Sequence, residues 1–322
     1  MLYHVRFLKV PSARRGNKGY NVKCVLSLTN DLGDEFFYGD CDMEIAVGQN
    51  RPGIVKWKPG MRSVSYEQEI PMYKIKGPVV VRARVLENTV KDHLQDLENH
   101  AENGFFPLSS EPLNIAKDMT ISEKRAVREI NYKKAGISLK MVEETGESIA
   151  KHLWDGAIIG MYELLEDDPV GLPKQPRHIL ELGAGCGLIG IGFAQLYKRS
   201  NVVLTDLDDA EEICKYNIKL NQVPNAKFKE FDWNEDDQEV TSVNWDLVLI
   251  TDCIYNDDSY AALIGALTRV AKPSTRFIMG HKHRHQDEAK FFTQLNEKFT
   301  ITNDKTLTRF GQPIRLIEFK LK

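Results

Sequence analysis

From His178 to the C-terminus, short apolar runs alternate with stretches of helical period, and this alternation constrains the fold more than any other feature. HILEL, NVVLTD, AKFKEF, WDLVLITD and RFIMG read as strands. GLIGIGFAQLY, DDAEEICKYNIKLN, SYAALIGALTRVA and DEAKFFTQLNEKF read as the helices between them. Strand–helix–strand units of this kind build a mostly parallel sheet with helices covering both faces. FTITND and IRLIEFKL follow one another with no helix between, so an antiparallel pair is expected to close a sheet of about seven strands. Ahead of this region, Ile149, Leu153, Ala157, Met161 and Leu164 recur in steps of three and four, which predicts an amphipathic helix over 147–165. REINYK and ISLKMV before it resemble a hairpin.

The N-terminal region has a different period. Val22, Cys24, Leu26 and Leu28 alternate with polar Lys23 and Ser27, and Val81, Ala83 and Val85 alternate with Arg82 and Arg84. Period two marks strands with one buried and one wet face. Turn signals such as Asn30 to Gly33, Gly48 to Gly53 and Pro59-Gly60 separate them, so a small β sandwich or barrel is expected. Val90, Leu94 and Leu97 suggest a trailing polar helix, and GFFPLSSEPLN, with two prolines, reads as a linker. The expected division is a β-rich domain at 1–103, a linker at 104–120 and an α/β domain at 121–322.

A chain of 322 residues, 42% hydrophobic and 28% charged, has ample material for two cores. Its net charge of −3 gives no basis for strong polyanion binding, so nucleic acid is not an expected partner. Cys24, Cys41, Cys186, Cys214 and Cys253 are scattered and form no CxxC pair, which favours reduced thiols over a disulfide framework or zinc site. No N-terminal apolar run suits a signal peptide and no stretch approaches a bilayer span, so a cytoplasmic or nuclear protein is expected.

The strongest local motif runs from Glu181 through Gly183, Ala184, Gly185, Cys186 and Gly187 to Gly190, where an apolar strand turns into a helix. Glycines there allow positive φ and close approach of a ligand, and the helix start offers free N–H groups. Two ligands fit. Gly185, Gly187 and Gly190 satisfy the dinucleotide pattern GxGxxG, while Glu181, Gly183, Gly185 and Gly187 satisfy the acidic ExGxGxG pattern of S-adenosylmethionine enzymes. Both need an acid at the end of the next strand for ribose hydroxyls, and Asp206 supplies it for either. Three further elements matter: LWDGA, with Trp154, on the helix before the glycine turn; FDW, with Asp232 and Trp233, at the end of the third strand; and TDCIY, with Thr251, Asp252 and Tyr255, at the end of the fourth. Ligands sit outside the carboxyl ends of parallel strands, so the glycine turn, Asp206, Asp232-Trp233 and Asp252 should line one crevice.

In this order, LWDGA, ELGAGCGLIG, LTDLDD, YNIKLN, FDW and DCIY make the segment from about residue 125 to 322 resemble the family 16 seven-β-strand protein lysine methyltransferases of the methyltransferase-like 21 group. The resemblance implies a class I methyltransferase fold, S-adenosylmethionine as cofactor and a lysine of an intracellular protein as acceptor. It implies that Gly183, Ala184 and Gly185 pack on the methionine part, that Asp206 binds the ribose, and that Asp232 and Trp233 frame the adenine. It implies further that Trp154 and Thr251 line the pocket, and that Asp252 and Tyr255 face the amine. Thr251 stands where relatives often have alanine. The N-terminal β region has no counterpart in the short members of the group and is the candidate for substrate docking.

Other residues read as structural. Asn217 is expected to be a buried asparagine bonding a neighbouring loop, and His281, His283 and His285 to be loop residues, with no accompanying carboxylate and no metal. Asp252 poses a chemical problem. A lysine nucleophile must be neutral, yet its ordinary pKa is about 10.4, and an adjacent carboxylate raises it further. Asp252 is therefore expected to orient the ammonium rather than act as a simple base. The competing functions are a nicotinamide-dependent oxidoreductase, a methyltransferase acting on a small molecule or histidine, and a silent scaffold carrying the β domain.

Overall fold

The computed structural model describes residues 1–94, 103–116, 118–144, 148–285 and 287–322. The chain divides into two units. The first comprises Met1–Glu129, Val142–Glu147 and Phe310–Gln312, and the second comprises Ile130–Met141, Ser148–Arg309 and Pro313–Lys322.

The first unit is built from strands. These are β1 (Leu2–Arg15), β2 (Gly19–Thr29), β3 (Gly39–Val47), β4 (Gly53–Trp57), β5 (Val64–Pro71), β6 (Val81–Asp92), β7 (Gly104–Phe106), β8 (Leu108–Ser110) and β9 (Met119–Ile121). A hairpin of β10 (Arg125–Tyr132) and β11 (Ile137–Glu144) follows, and the division between the units runs through it. One sheet has the order β5-β2-β1-β7, with β9 on β1; the other has the order β11-β10-β8-β6-β3-β4. Their apolar faces share one core, with Val5, Phe7, Leu26 and Leu28 from the first sheet and Met43, Ile45, Val81 and Ala83 from the second. The period-two reading of β2 and β6 holds in its apolar half, and Arg82 and Arg84 are exposed. Ser27 does not keep the wet face expected of it and is fully buried.

Two expectations need correction here. The linker at 104–120 contains β7, β8 and β9, each paired into a sheet. Residues 88–92 continue β6 instead of starting a helix, and the extra residues of a register shift opposite Asp40 and Asp42 lie in β6 between Leu86 and Lys91. The rest of the expected polar helix lies mostly outside the described residues.

After Ile130–Met141, the second unit continues with a 3-10 turn at Ile149–Lys151 and helix α1 (Asp155–Glu166). Then come β12 (His178–Leu182), α2 (Leu188–Leu196), β13 (Asn201–Asp206), α3 (Glu211–Leu220), β14 (Ala226–Glu230), α4 (Gln238–Thr241), β15 (Leu247–Thr251), α5 (Tyr260–Val270), β16 (Arg276–Lys282), α6 (Glu288–Lys298), β17 (Phe299–Arg309) and β18 (Gln312–Leu321). The sheet order is β14-β13-β12-β15-β16-β18-β17. β12 through β16 are parallel, and β18 runs antiparallel to β16. The order reverses at β12, which has β13 on one side and β15 on the other. Strand ends on the carboxyl side of that point are where an open parallel sheet forms a crevice.

Alternation along each strand splits the core. Leu180, Leu182, Val248, Ile250, Phe277 and Met279 pack with Leu263, Leu267 and Val270 of α5 and Phe291 and Leu295 of α6. Glu181, pointing the other way, receives the Gly190 N–H of α2. Helix α1 starts later than the periodicity predicts. Leu153 is buried, but Ile149 is exposed, and Trp154 is the N-cap of α1, not a residue within it.

Candidate functional site

The glycine turn between β12 and α2 is held open by backbone geometry. Gly183, Gly185 and Gly187 have φ of 66°, 52° and 83°, a region that favours glycine. The turn is also tied to β13. The Gly185 N–H donates to Asp206 Oδ2 at 2.7 Å, and the Ala184 N–H donates to the Thr205 carbonyl at 3.0 Å. Asp206 Oδ1 accepts the Leu207 N–H at 2.8 Å. Burial pushes the Asp206 carboxyl above its usual range, and these two N–H groups pull the other way. Beneath the turn, Glu181 is 1% exposed, and burial pushes its carboxyl up to about 8.

Residues from β14 and β15 complete the wall. A Cβ on Gly183 would lie 2.5 Å from Cys253 Sγ and 3.3 Å from the Trp233 ring. Both side chains therefore pack directly on the glycine backbone. The Cys253 thiol donates to carbonyls of Leu182 and Thr251 at 3.5 and 3.3 Å. The Phe231 N–H donates to the Asp206 carbonyl at 2.9 Å, joining the FDW segment to the end of β13. Asp232 Oδ1 accepts the Asn234 N–H at 2.8 Å, and Trp233 is half-buried. Gly183, Ala184, Gly185, Asp206, Trp233 and Thr251 thus gather at the carboxyl ends of neighbouring strands.

Trp154 is held between the 3-10 turn and Arg284. Its indole Nε1 donates to the Ile149 carbonyl at 3.1 Å, and the Arg284 guanidinium lies 5.4 Å from its ring centroid. The 3-10 turn before it covers the glycines, since a Cβ on Gly185 would lie 2.9 Å from the Ala150 carbonyl oxygen.

Asp252 follows β15 in a left-handed conformation, φ 49°, uncommon away from glycine. Its carboxylate does not stand open to an acceptor. Oδ2 accepts the Gly156 N–H at 2.8 Å and an Arg284 Nη2–H at 3.0 Å, and Oδ1 accepts the Lys282 N–H at 3.1 Å. The Asp252 side chain is 4% exposed, whereas Tyr255 is 57% exposed. The Asp252 carboxylate is thus occupied by three donors of the protein, while Tyr255 is open.

Sequence reasoning missed Ala150, Cys253, Lys282 and Arg284. It also misread His281 and the absence of a carboxylate, while His283 and His285 do lie in the loop after β16. His281 is buried at the end of β16, and a carboxylate does accompany it. His281 Nε2 and His283 Nδ1 lie 2.8 and 2.5 Å from Glu288 Oε2. Glu288 Oε1 accepts the Arg284 and His285 N–H groups at 2.9 and 3.0 Å. Burial pushes the Glu288 carboxyl up, but the Arg284 N–H and the imidazoles outweigh it and hold it below its usual range. The ligand atoms of this trio lie within 4.8 Å of one another, a spacing that could hold a metal. A metal-bound imidazole normally donates its other N–H to an acceptor. His281 Nδ1 is buried with no partner among the described residues, so the trio suits hydrogen bonding that fixes the turn after β16. Asn217 matches its expected role: buried on α3, it donates to the Cys186 carbonyl at 2.9 Å.

A family model described as lysine methyltransferase matches residues 133–298. Protein N-lysine methyltransferase METTL21A of Mus musculus is 31% identical over 159 residues, covering 48% of this chain and 70% of the relative. Protein-lysine N-methyltransferase EFM6 of Saccharomyces cerevisiae is 28% identical over 198 residues, covering 54% and 80%. A UPF0665 family protein of Schizosaccharomyces pombe is 25% identical over 304 residues, covering 91% of this chain and 92% of the relative, and so takes in the N-terminal unit as well. With over half of its length matched by the family model, the chain belongs to the lysine methyltransferase family and is a methyltransferase.

Proposed function

We propose that the chain is an S-adenosylmethionine-dependent protein-lysine N-methyltransferase of the class I fold, with its cofactor in the crevice at the carboxyl ends of β12 to β15. The supporting observation is that Gly183 is packed by Trp233 and Cys253 while Gly185 is bonded to Asp206. Gly183, Ala184 and Gly185 would hold the methionine part, Asp206 the ribose hydroxyls, and Asp232 and Trp233 the adenine. Trp154 and Thr251 would bound the pocket. The nicotinamide alternative fares worse on the same turn. A dinucleotide needs the second glycine of GxGxxG open to its pyrophosphate. Here that residue is Gly187, and a Cβ on it would meet Leu204 at 2.9 Å and Cys214 Sγ at 3.0 Å, so it serves internal packing.

S-adenosylmethionine, when bound, supplies a methyl group activated by its sulfonium. The protein contributes position: it orients the amine in line with the carbon–sulfur bond and excludes water. Tyr255, exposed at the entry, would contact the acceptor. Asp252 would organise the entry through Gly156 and Arg284. The two N-terminal sheets, with a groove of about 270 Å³ lined by Arg82, Arg84, Glu44 and Glu129, would form a sandwich-like docking module for the substrate protein. We place the enzyme in the cytosol or nucleus.

The test is incubation with isotope-labelled S-adenosylmethionine in a methyltransferase-depleted cell extract, followed by mass spectrometry. A labelled lysine supports the proposal. Label on a small molecule or on histidine replaces the acceptor, and NAD binding without S-adenosylhomocysteine binding overturns the cofactor.

A further inference from the structure

Asp252 lies one residue from the cofactor wall, where Cys253 packs on Gly183. An unpaired carboxylate there would hold an incoming amine as ammonium. Its surroundings prevent that. Arg284 Nη2 lies 3.0 Å from Asp252 Oδ2, with the two side chains 14% and 4% exposed. The guanidinium is held from above by the Trp154 ring. Its main chain is held by Glu288, which takes the Arg284 and His285 N–H groups on one oxygen and faces His281 and His283 with the other. The neighbouring cation, Lys282, gives Asp252 its backbone N–H, and its ammonium pairs with the buried Asp155 carboxylate at 2.7 Å. The charged and titratable groups round Asp252 among the described residues include Arg284, the Lys282–Asp155 pair, the Cys253 thiol and, behind the turn, Glu288 with its two histidines. Tyr255 lies three residues on.

We propose that Arg284 is a positioning residue whose guanidinium cancels the Asp252 charge, so that an amine acceptor entering beside Asp252 can lose its proton. The inference rests on the amine-acceptor assignment made above. An opposite charge within about 4–6 Å raises an amine pKa by roughly 1–3 units. Each unit is about a tenfold loss of the neutral, nucleophilic form below the pKa. A carboxylate already paired with a guanidinium exerts little of that field. The difficulty that Asp252 poses for lysine chemistry is met by a residue 32 positions further along the chain.

The experiment follows the initial rate of label transfer to lysine in the depleted extract across pH for four proteins: the unaltered chain, Arg284→Gln, Arg284→Lys and the double variant Asp252→Asn/Arg284→Gln. S-adenosylhomocysteine binding by calorimetry reports an intact pocket. Arg284→Gln is expected to move the rising limb up by about one pH unit, a tenfold loss near neutrality that fades at alkaline pH. Arg284→Lys should keep the limb, and the double variant should move it back. Equal loss at every pH, a double variant displaced as far as the single one, or loss of S-adenosylhomocysteine binding in Arg284→Gln overturns the inference. Labelled lysine with an unmoved limb overturns this inference alone. Absence of labelled lysine with the unaltered chain overturns the acceptor assignment and this inference together.

Discussion

The Gly156 N–H donates to Asp252 Oδ2 at 2.8 Å, joining the first turn of α1 to the residue that follows β15. The contact is possible only because residue 156 has no side chain. A Cβ there would lie 2.2 Å from Asp252 Oδ1 and 2.5 Å from Oδ2. Two effects oppose each other in Gly156→Ala. Helix propensity alone would stabilise by up to about 1 kcal/mol. Overpacking against a buried carboxylate held by three donors costs about 1–3 kcal/mol, and the carboxylate cannot swing away without leaving Arg284. A net fall in the unfolding midpoint and at least a tenfold loss of transfer are expected. Thermal unfolding and a transfer assay check this, and a stabilised, fully active variant would show that Asp252 is free to move.

Gly183 makes a similar demand from the cofactor side. Its φ of 66° and the 2.5 Å approach of Cys253 Sγ leave no room for a methyl group. Gly183→Ala would push Cys253 and the Trp233 ring, which are the surfaces proposed to frame the ligand. We expect at least a tenfold weaker affinity for S-adenosylhomocysteine, read by calorimetry. Unchanged affinity would remove Gly183 from the binding wall.

The parts of this site that were legible in the sequence are those whose signal is local. Gly183, Gly185 and Asp206 announce themselves because a strand must turn sharply into a helix and the next strand must end on an acid. The order β12 to β18 could be read because period and length distinguish each element from the next. Arg284 and Lys282 were not legible. Their partners Asp252 and Asp155 lie 32 and 127 residues away, and a basic residue at a strand end or in the loop after it carries no mark of being paired. Glu288 escaped notice because it belongs by period to α6, yet its carboxylate turns back to the histidines. In the first unit, β7 and β8 are three residues each, too short to show a period, and Pro107 between them reads as a linker signal. The helix predicted over 147–165 started too early because Leu153, which fits the apolar period and is buried, lies ahead of the N-cap at Trp154.

Glu181 predicts a pH dependence. Burial pushes its folded-state carboxyl up to about 8, with the Gly190 N–H opposing and Asp206 adding to the rise, from an ordinary value of 4.5. Between those values the folded state binds more protons than the unfolded chain, so stability falls as pH rises through the window. The contribution is complete below pH 4.5 and lost once pH passes about 8. Glu181→Gln keeps an oxygen for the Gly190 N–H and removes the charge. Denaturant unfolding should find variant and parent alike near pH 4.5, with the variant the more stable at pH 8. A difference that stays constant with pH would mean that the parent carries its carboxylate charged throughout.

Arg128 gives the first unit a buried ion pair whose removal has a sign that depends on how it is done. Its Nε and Nη2 lie 2.7 and 2.6 Å from Glu143 Oε1, and Nη1 donates to the Phe106 and Pro107 carbonyls at 2.9 and 2.8 Å. The two side chains are 0% and 2% exposed. Burial pushes the guanidinium below its usual range while the Glu143 charge pulls it back, the mark of a pair that exists at the expense of solvation. Arg128→Met strips the Glu143 carboxylate of its guanidinium inside the protein and is expected to destabilise by about 3–5 kcal/mol. Arg128→Met/Glu143→Leu removes both desolvation penalties. It should recover most of that loss, short of the two carbonyl bonds at about 1 kcal/mol each. Urea unfolding of the three proteins measures the coupling. If the double variant is no more stable than the single one, the guanidinium matters through Phe106 and Pro107, and the pairing with Glu143 is incidental.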